Sequence, residues 1–157
     1  MTAATTENAD VAALNRINAC SPAVAYVAER GSLTAAWASC ERGDWMLWLL
    51  GKLTRRNVAD PFGTEPHRKL VGCLTEIVTT LALPFAGDKR VADCAAVRRR
   101  YAEGEAVTRD EILEARRNAY AAAADAYAAA RAKSLKASAE IVRTWYPQAP
   151  SLNGSRA

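Results

Sequence analysis

TRDEILEARRNAYAAAADAYAAARAKSLKASAEIVRTWYP, residues Thr108 to Pro147, settles the fold class. Thr108 with Glu111 three residues later has the pairing of a capping box, and from there to Pro147 no proline or glycine interrupts the chain. Between Ala115 and Ala139, 13 of 25 residues are alanine, the best helix former, so the pattern predicts one long helix. Unbroken over 109–146, it would measure about 57 Å at 1.5 Å per residue, whereas a compact globule of this chain length has a radius of gyration of about 15 Å. Such a helix bends, projects or packs on another subunit, and the last option predicts a homo-oligomer through its alanine-rich side.

Helix punctuation continues upstream, and strand signals are nearly absent. Ser21 before Pro22 reads as an N-cap with proline at the first helical position, and Gly31 closes that segment. Ser32 caps a short helix through Trp37 and Cys40, and Asp44 caps one carrying Trp45, Met46, Leu47, Trp48, Leu49 and Leu50, apolar nearly all round. The stretch from Arg55 to Pro66 reads as a loop. Leu70, Val71, Leu74, Ile77, Val78 and Leu81 then recur at helical spacing in a helix that stops before Pro84. Asp88 caps the next helix, with Val91, Cys94, Val97 and Tyr101 on one face. The expectation is an all-α, compact bundle of about six helices with a long alanine-rich C-terminal helix. It forms a single domain over 1–157, frayed at 1–9 and 148–157.

The 157 residues suit one domain, and half of them are hydrophobic, but 35 of those 79 are alanine. The net charge of +4 is too modest for a disordered chain. No apolar run approaches a membrane span, and the amino terminus, with Glu7 and Asp10 and no early Lys or Arg, lacks the form of a signal peptide, so a cytoplasmic protein without membrane contact is expected. Cys20, Cys40, Cys73 and Cys94 fall in separate segments without CxxC spacing, and His67 is the sole histidine. That predicts reduced, mostly buried thiols, no zinc site, no metal and no cofactor. Glycine-rich phosphate loops and the common nucleophile and metalloprotease motifs are missing, which disfavours an enzyme.

Projected at 100° per residue, the long helix places Arg116, Arg117, Tyr120, Tyr127 and Arg131 on one side over a floor of alanine. Arginine supplies a planar fork for phosphate, tyrosine a face for stacking, and alanine a close approach. The same pattern arises if the tyrosines fill the core and the arginines reach outward at its edge. Leu113, Tyr120, Tyr127, Ser134 and Ile141 recur every seven residues, too weak a series for a coiled coil. A second basic element is Arg98, Arg99, Arg100, of which Arg98 lies nearest the apolar face of its helix. Residues 1–78 hold eight basic and eight acidic side chains and residues 79–157 thirteen and nine, so the whole excess lies in the second half. This suits a small anionic partner; without a helix-turn-helix or basic arm, duplex DNA is disfavoured.

Three of the four tryptophans, Trp37, Trp45 and Trp48, fall within twelve residues. Such a cluster is usually core, because each ring buries so much area. Its functional reading is an aromatic wall with Arg42 or Asp44 at the rim. The run AWASCERGDWMLWLLGK, Ala36 to Lys52, with its W-x2-C-x-R-x-D-W-x-L-W-L pattern, resembles the signature of a family of small bacterial and bacteriophage immunity proteins. An alanine-rich middle and the ending SAEIVRTWYP, Ser138 to Pro147, are similar to that family too, although its members more often carry a cysteine and an aspartate where Ala139 and Glu140 stand. The resemblance implies inhibition by binding and brings no catalytic residues.

Together these readings predict a non-catalytic binding protein, encoded by a phage or mobile element, that neutralises a component of a defence or conflict system. The preferred target is an anionic, nucleotide-like signalling ligand held by Arg116, Arg117, Tyr120, Tyr127, Arg131 and Arg98. The alternative is an immunity protein that grips a protein toxin, and the basic isoelectric point near 9.0 disfavours a nuclease as that toxin. An enzyme using Glu41, Asp44, Glu76 or His67 ranks last, because nothing pairs them.

Overall fold

The computed structural model describes residues 8–85 and 87–152, with 85 and 121–133 described as backbone only. Seven α-helices are assigned among them: α1 (Ala9–Arg16), α2 (Ser21–Arg30), α3 (Leu33–Ser39), α4 (Gly43–Thr54), α5 (Glu65–Ile77), α6 (Lys89–Ala102) and α7 (Arg109–Trp145). A π turn (Val78–Ala82) and a 3-10 turn (Leu83–Phe85) extend α5, and the described residues contain no strand. The fold is therefore all-α. No described helix is long and apolar enough to cross a membrane.

Local chemistry explains most boundaries. Asn8 caps α1 through its side-chain oxygen and ties it to the α2–α3 turn by donating to the Gly31 carbonyl. Asp10 accepts from the Leu33 amide at 2.7 Å, closing the same corner. Gly31 ends α2 at φ 79°, a left-handed conformation that glycine adopts without a Cβ penalty. Ser32, Thr64 and Asp88 cap α3, α5 and α6, and Thr108 with Glu111 forms a reciprocal capping box at α7.

Several boundaries differ from the sequence expectations. Cys20, not Ser21, is the residue preceding α2, so Pro22 occupies the second helical position. Asp44 lies inside the first turn of α4, where its carboxylate is held by Arg42 instead of capping the helix. The helix before Pro84 does not stop there: it widens into a π turn and then tightens into a 3-10 turn that contains Pro84, whose ring and missing N–H disfavour continued α-helix. The chain after Gln148 is not frayed up to Leu152. Leu152 is buried in the core, Ala149 packs beside it, and Arg56 donates to the Leu152 carbonyl at 2.6 Å. At the other end, Asn8 and Ala9 already belong to α1 and its cap. Residues 1–7 and 153–157 lie outside the described residues.

The main core gathers Leu14, Val27, Trp37, Met46, Leu49, Leu50, Leu70 and Cys73 around Ala139 and Val142 of α7, which have no exposed surface. Two glycines allow the close approach. A Cβ on Gly43 would lie 2.6 Å from the Ser138 Cβ and 2.7 Å from the Ala139 amide nitrogen. A Cβ on Gly72 would strike the Trp145 ring at 2.6 Å. The tryptophan-rich run and the chain's ending are thus packed directly on each other. Trp37 donates its indole N–H to the Tyr146 carbonyl at 2.9 Å, and Arg143 donates to the Cys40 carbonyl at 2.7 Å.

Candidate functional site

α6 and α7 pack along a narrow seam in which Ala115 and Ala119 of α7 meet Val91 and Cys94 of α6. Ile112, one turn earlier, reaches a second cluster around Val71, Tyr101 and Val107. Residues 112, 115 and 119 therefore form the inward stripe of α7 here, and residues 116, 117 and 120 are turned outward. Arg116 and Arg117 are exposed, and Tyr120 is 73% exposed. The reading in which this tyrosine fills the core is corrected: Ala119 takes the inward seat.

Arg98 differs from these neighbours. One turn after the buried Cys94, it is half-buried, and burial lowers its guanidinium pKa, with Arg116 acting in the same direction. The same two arginines lower the Cys94 thiol, although burial wins there and its pKa is raised. Among the described residues, Arg98, Arg116 and Arg117 make no hydrogen bond or ion pair. Other basic groups do. Arg90 pairs with Asp88, Arg100 with Glu105, Arg109 with Asp60 and Lys136 with Glu41. Of the six residues expected to bind a ligand, the structure thus places Arg98, Arg116, Arg117 and Tyr120 on the α6–α7 side, while the side chains of Tyr127 and Arg131 lie outside the described residues.

A second feature lies at the other end of the molecule's sequence order. A cavity of about 470 Å³ opens among α1, α2, α3 and α4. Trp37, Trp45, Met46, Trp48 and Leu49 of the tryptophan run form one wall, and Tyr26 and Val27 of α2 face it. Arg42 holds Asp44 through two hydrogen bonds of 2.9 and 2.6 Å and lies 4.4 Å above the Trp45 ring. The aromatic wall with Arg42 and Asp44 at its edge is therefore a real geometry, and only Trp37 of the three clustered tryptophans is fully buried. Asn18 and Cys20, which also line the opening, belong to the α1–α2 turn and had no periodic signal to mark them.

The four acid or base groups named from sequence are each engaged separately. Glu41 pairs with Lys136, Asp44 with Arg42, and Glu76 accepts from the Trp145 indole. His67 lies 2.6 Å from the Tyr101 hydroxyl, which also accepts the Gly63 N–H at 2.7 Å. Burial lowers the His67 pKa, and Arg55 and Arg109 push the same way. A neutral ring protonated on Nε2 accepts the tyrosine proton at Nδ1, so this network fastens the 61–67 turn to α6. Among the described residues no group of three or more His, Cys, Asp or Glu side chains is placed to hold a metal.

No family model, curated protein or solved structure matches the chain.

Proposed function

We propose that the chain is a non-catalytic binding protein, carried by a phage or mobile element and working in the cytoplasm. In this reading it neutralises a conflict component by sequestering an anionic, nucleotide-like signalling ligand on the α6–α7 face. The observation that carries it is Arg98, a partly desolvated guanidinium with Arg116 beside it and no carboxylate to compensate either. A half-buried charge without a counter-ion keeps only part of its hydration, and an incoming phosphate would supply that counter-ion. Exposed Tyr120, one turn along α7 from Arg116, offers a ring on which a base can stack. The exposed Leu113 and Tyr120, seven residues apart on α7, also support contact with a second copy along this helix.

Native mass spectrometry of protein purified from cells that express the matching defence system tests the reading. The expected result is a released small anion and a Tm raised by about 5–10 °C when that anion is present at a hundredfold excess over Kd. Arg116→Ala combined with Arg131→Ala should abolish both protection and the shift without loss of helix. Absence of any co-purified anion, with an unchanged Tm across a nucleotide panel, would overturn it.

A further inference from the structure

We propose that the cavity among α1–α4 is a second binding site, separate from the basic face, and that it takes an uncharged, mostly apolar small molecule with one hydrogen-bonding edge. The cavity is half open to solvent and has a volume of about 470 Å³. It falls within the several-hundred-Å³ range of small-molecule pockets, and its walls have the usual composition of such pockets, apolar and aromatic with few polar groups.

The polar groups at its mouth define the class of ligand. Asp44 is the one carboxylate lining the cavity, and Arg42 already neutralises it. The guanidinium that does so is itself committed to Asp44 and to the Trp45 face. Cys40, in the wall, is buried, and its sulfur is engaged with the Arg42 backbone. The lining thus offers no free charge. A charged ligand would lose its hydration without gaining a counter-ion, whereas an uncharged one loses little. Uncharged polar groups remain available at the opening, among them the Trp45 and Trp48 indole N–H groups and Asn18. Asn18, exposed and held at φ 58°, makes no side-chain hydrogen bond among the described residues and can both donate and accept at the opening.

Three tryptophan rings, Trp37, Trp45 and Trp48, line this space, and Trp48 is 38% exposed. Trp37 is fixed in the fold by its N–H bond to the carbonyl of Tyr146, just past α7, and Trp45 packs partly against the core, whereas Trp48 presents its ring at the opening.

Two fluorescent probes on one ring skeleton test the proposal on the full chain: uncharged N-phenyl-1-naphthylamine and the anionic anilinonaphthalene sulfonate. The uncharged probe should bind saturably at one per chain, about tenfold or more tighter than the anion. Ala23→Leu, which adds bulk to the half-buried α2 wall, should weaken the uncharged probe about tenfold with Tm unchanged. A benzyl thiosulfonate reagent supplies a block that cannot prevent folding, because Cys20 is the exposed thiol at the mouth and Cys40, Cys73 and Cys94 are buried. Labelling folded protein at Cys20 should cause the same loss, and Arg116→Ala should cause none. Equal or tighter binding of the anionic probe would overturn the proposal. So would binding that survives both blocks, or sedimentation showing that the probe competes with a second copy seated on Trp48.

Discussion

Gly43 and Ser138 touch where the tryptophan run meets α7, and the missing side chain is what lets them do so. A methyl group there would collide with backbone as well as with a side chain, at 2.7 Å from the Ala139 nitrogen and 2.9 Å from the Leu135 oxygen. Gly43→Ala should therefore destabilise the fold by about 3 kcal/mol, read as a lower urea midpoint, despite the better helix propensity of alanine. Arg98→Met works in the opposite direction. Replacing an unpartnered half-buried charge by an apolar chain of similar length should stabilise the ligand-free protein by about 1 kcal/mol, and a loss of stability would show that Arg98 has a structural partner. His67 gives a pH signature. Its pKa is depressed in the fold from 6.5, so the unfolded chain takes up the proton first. Stability present above about pH 6.5 is then lost as pH falls through the lower folded value. The urea midpoint should drop between pH 7 and 5.5, and the drop should shrink in His67→Gln; an equal drop in both would contradict the neutral assignment.

At the scale of elements, the described chain ends in a strap rather than a frayed tail. Leu152 is 6% exposed, so Leu152→Ala should cost about 2–3 kcal/mol in a denaturant melt, whereas a frayed residue would cost nothing measurable. Sequence alone could not show this, because Pro150, Asn153 and Gly154 read as loop and the anchor is one isolated leucine. Caps were far more legible. Ser32, Asp88 and the Thr108–Glu111 pair act through bonds spanning two or three residues, which local sequence contains in full. Asp44 carries the same local signal but lies inside the first turn of α4, where Arg42, two residues away, holds its carboxylate in a bidentate grip. α1 leaves no period in the sequence, because its burial rests on Ala13 and Leu14, too short an apolar series.

Over the whole molecule, charge and apolar surface separate. The excess positive charge of the second half includes Arg98, Arg116 and Arg117, which make no ion pair among the described residues, and the aromatic cavity lies among the helices of the first half. The basic face was visible in sequence as a helical projection, but which of its residues face solvent depended on the seam. Alanines 115 and 119 occupy that seam and leave Tyr120 outside. The cavity was visible only as a cluster of tryptophans, since the spacing of Trp45 and Trp48 shows a shared face without showing that α1 and α2 stand away from it.

Titration calorimetry of a nucleotide panel against the folded chain, at low and physiological salt, bears most directly on the anion-binding face. A multiply charged nucleotide should bind with an affinity that falls as salt rises, and Arg98→Met and Arg116→Ala should each weaken it by about tenfold. Heats indistinguishable from dilution across the panel, or binding that both variants retain, would contradict it.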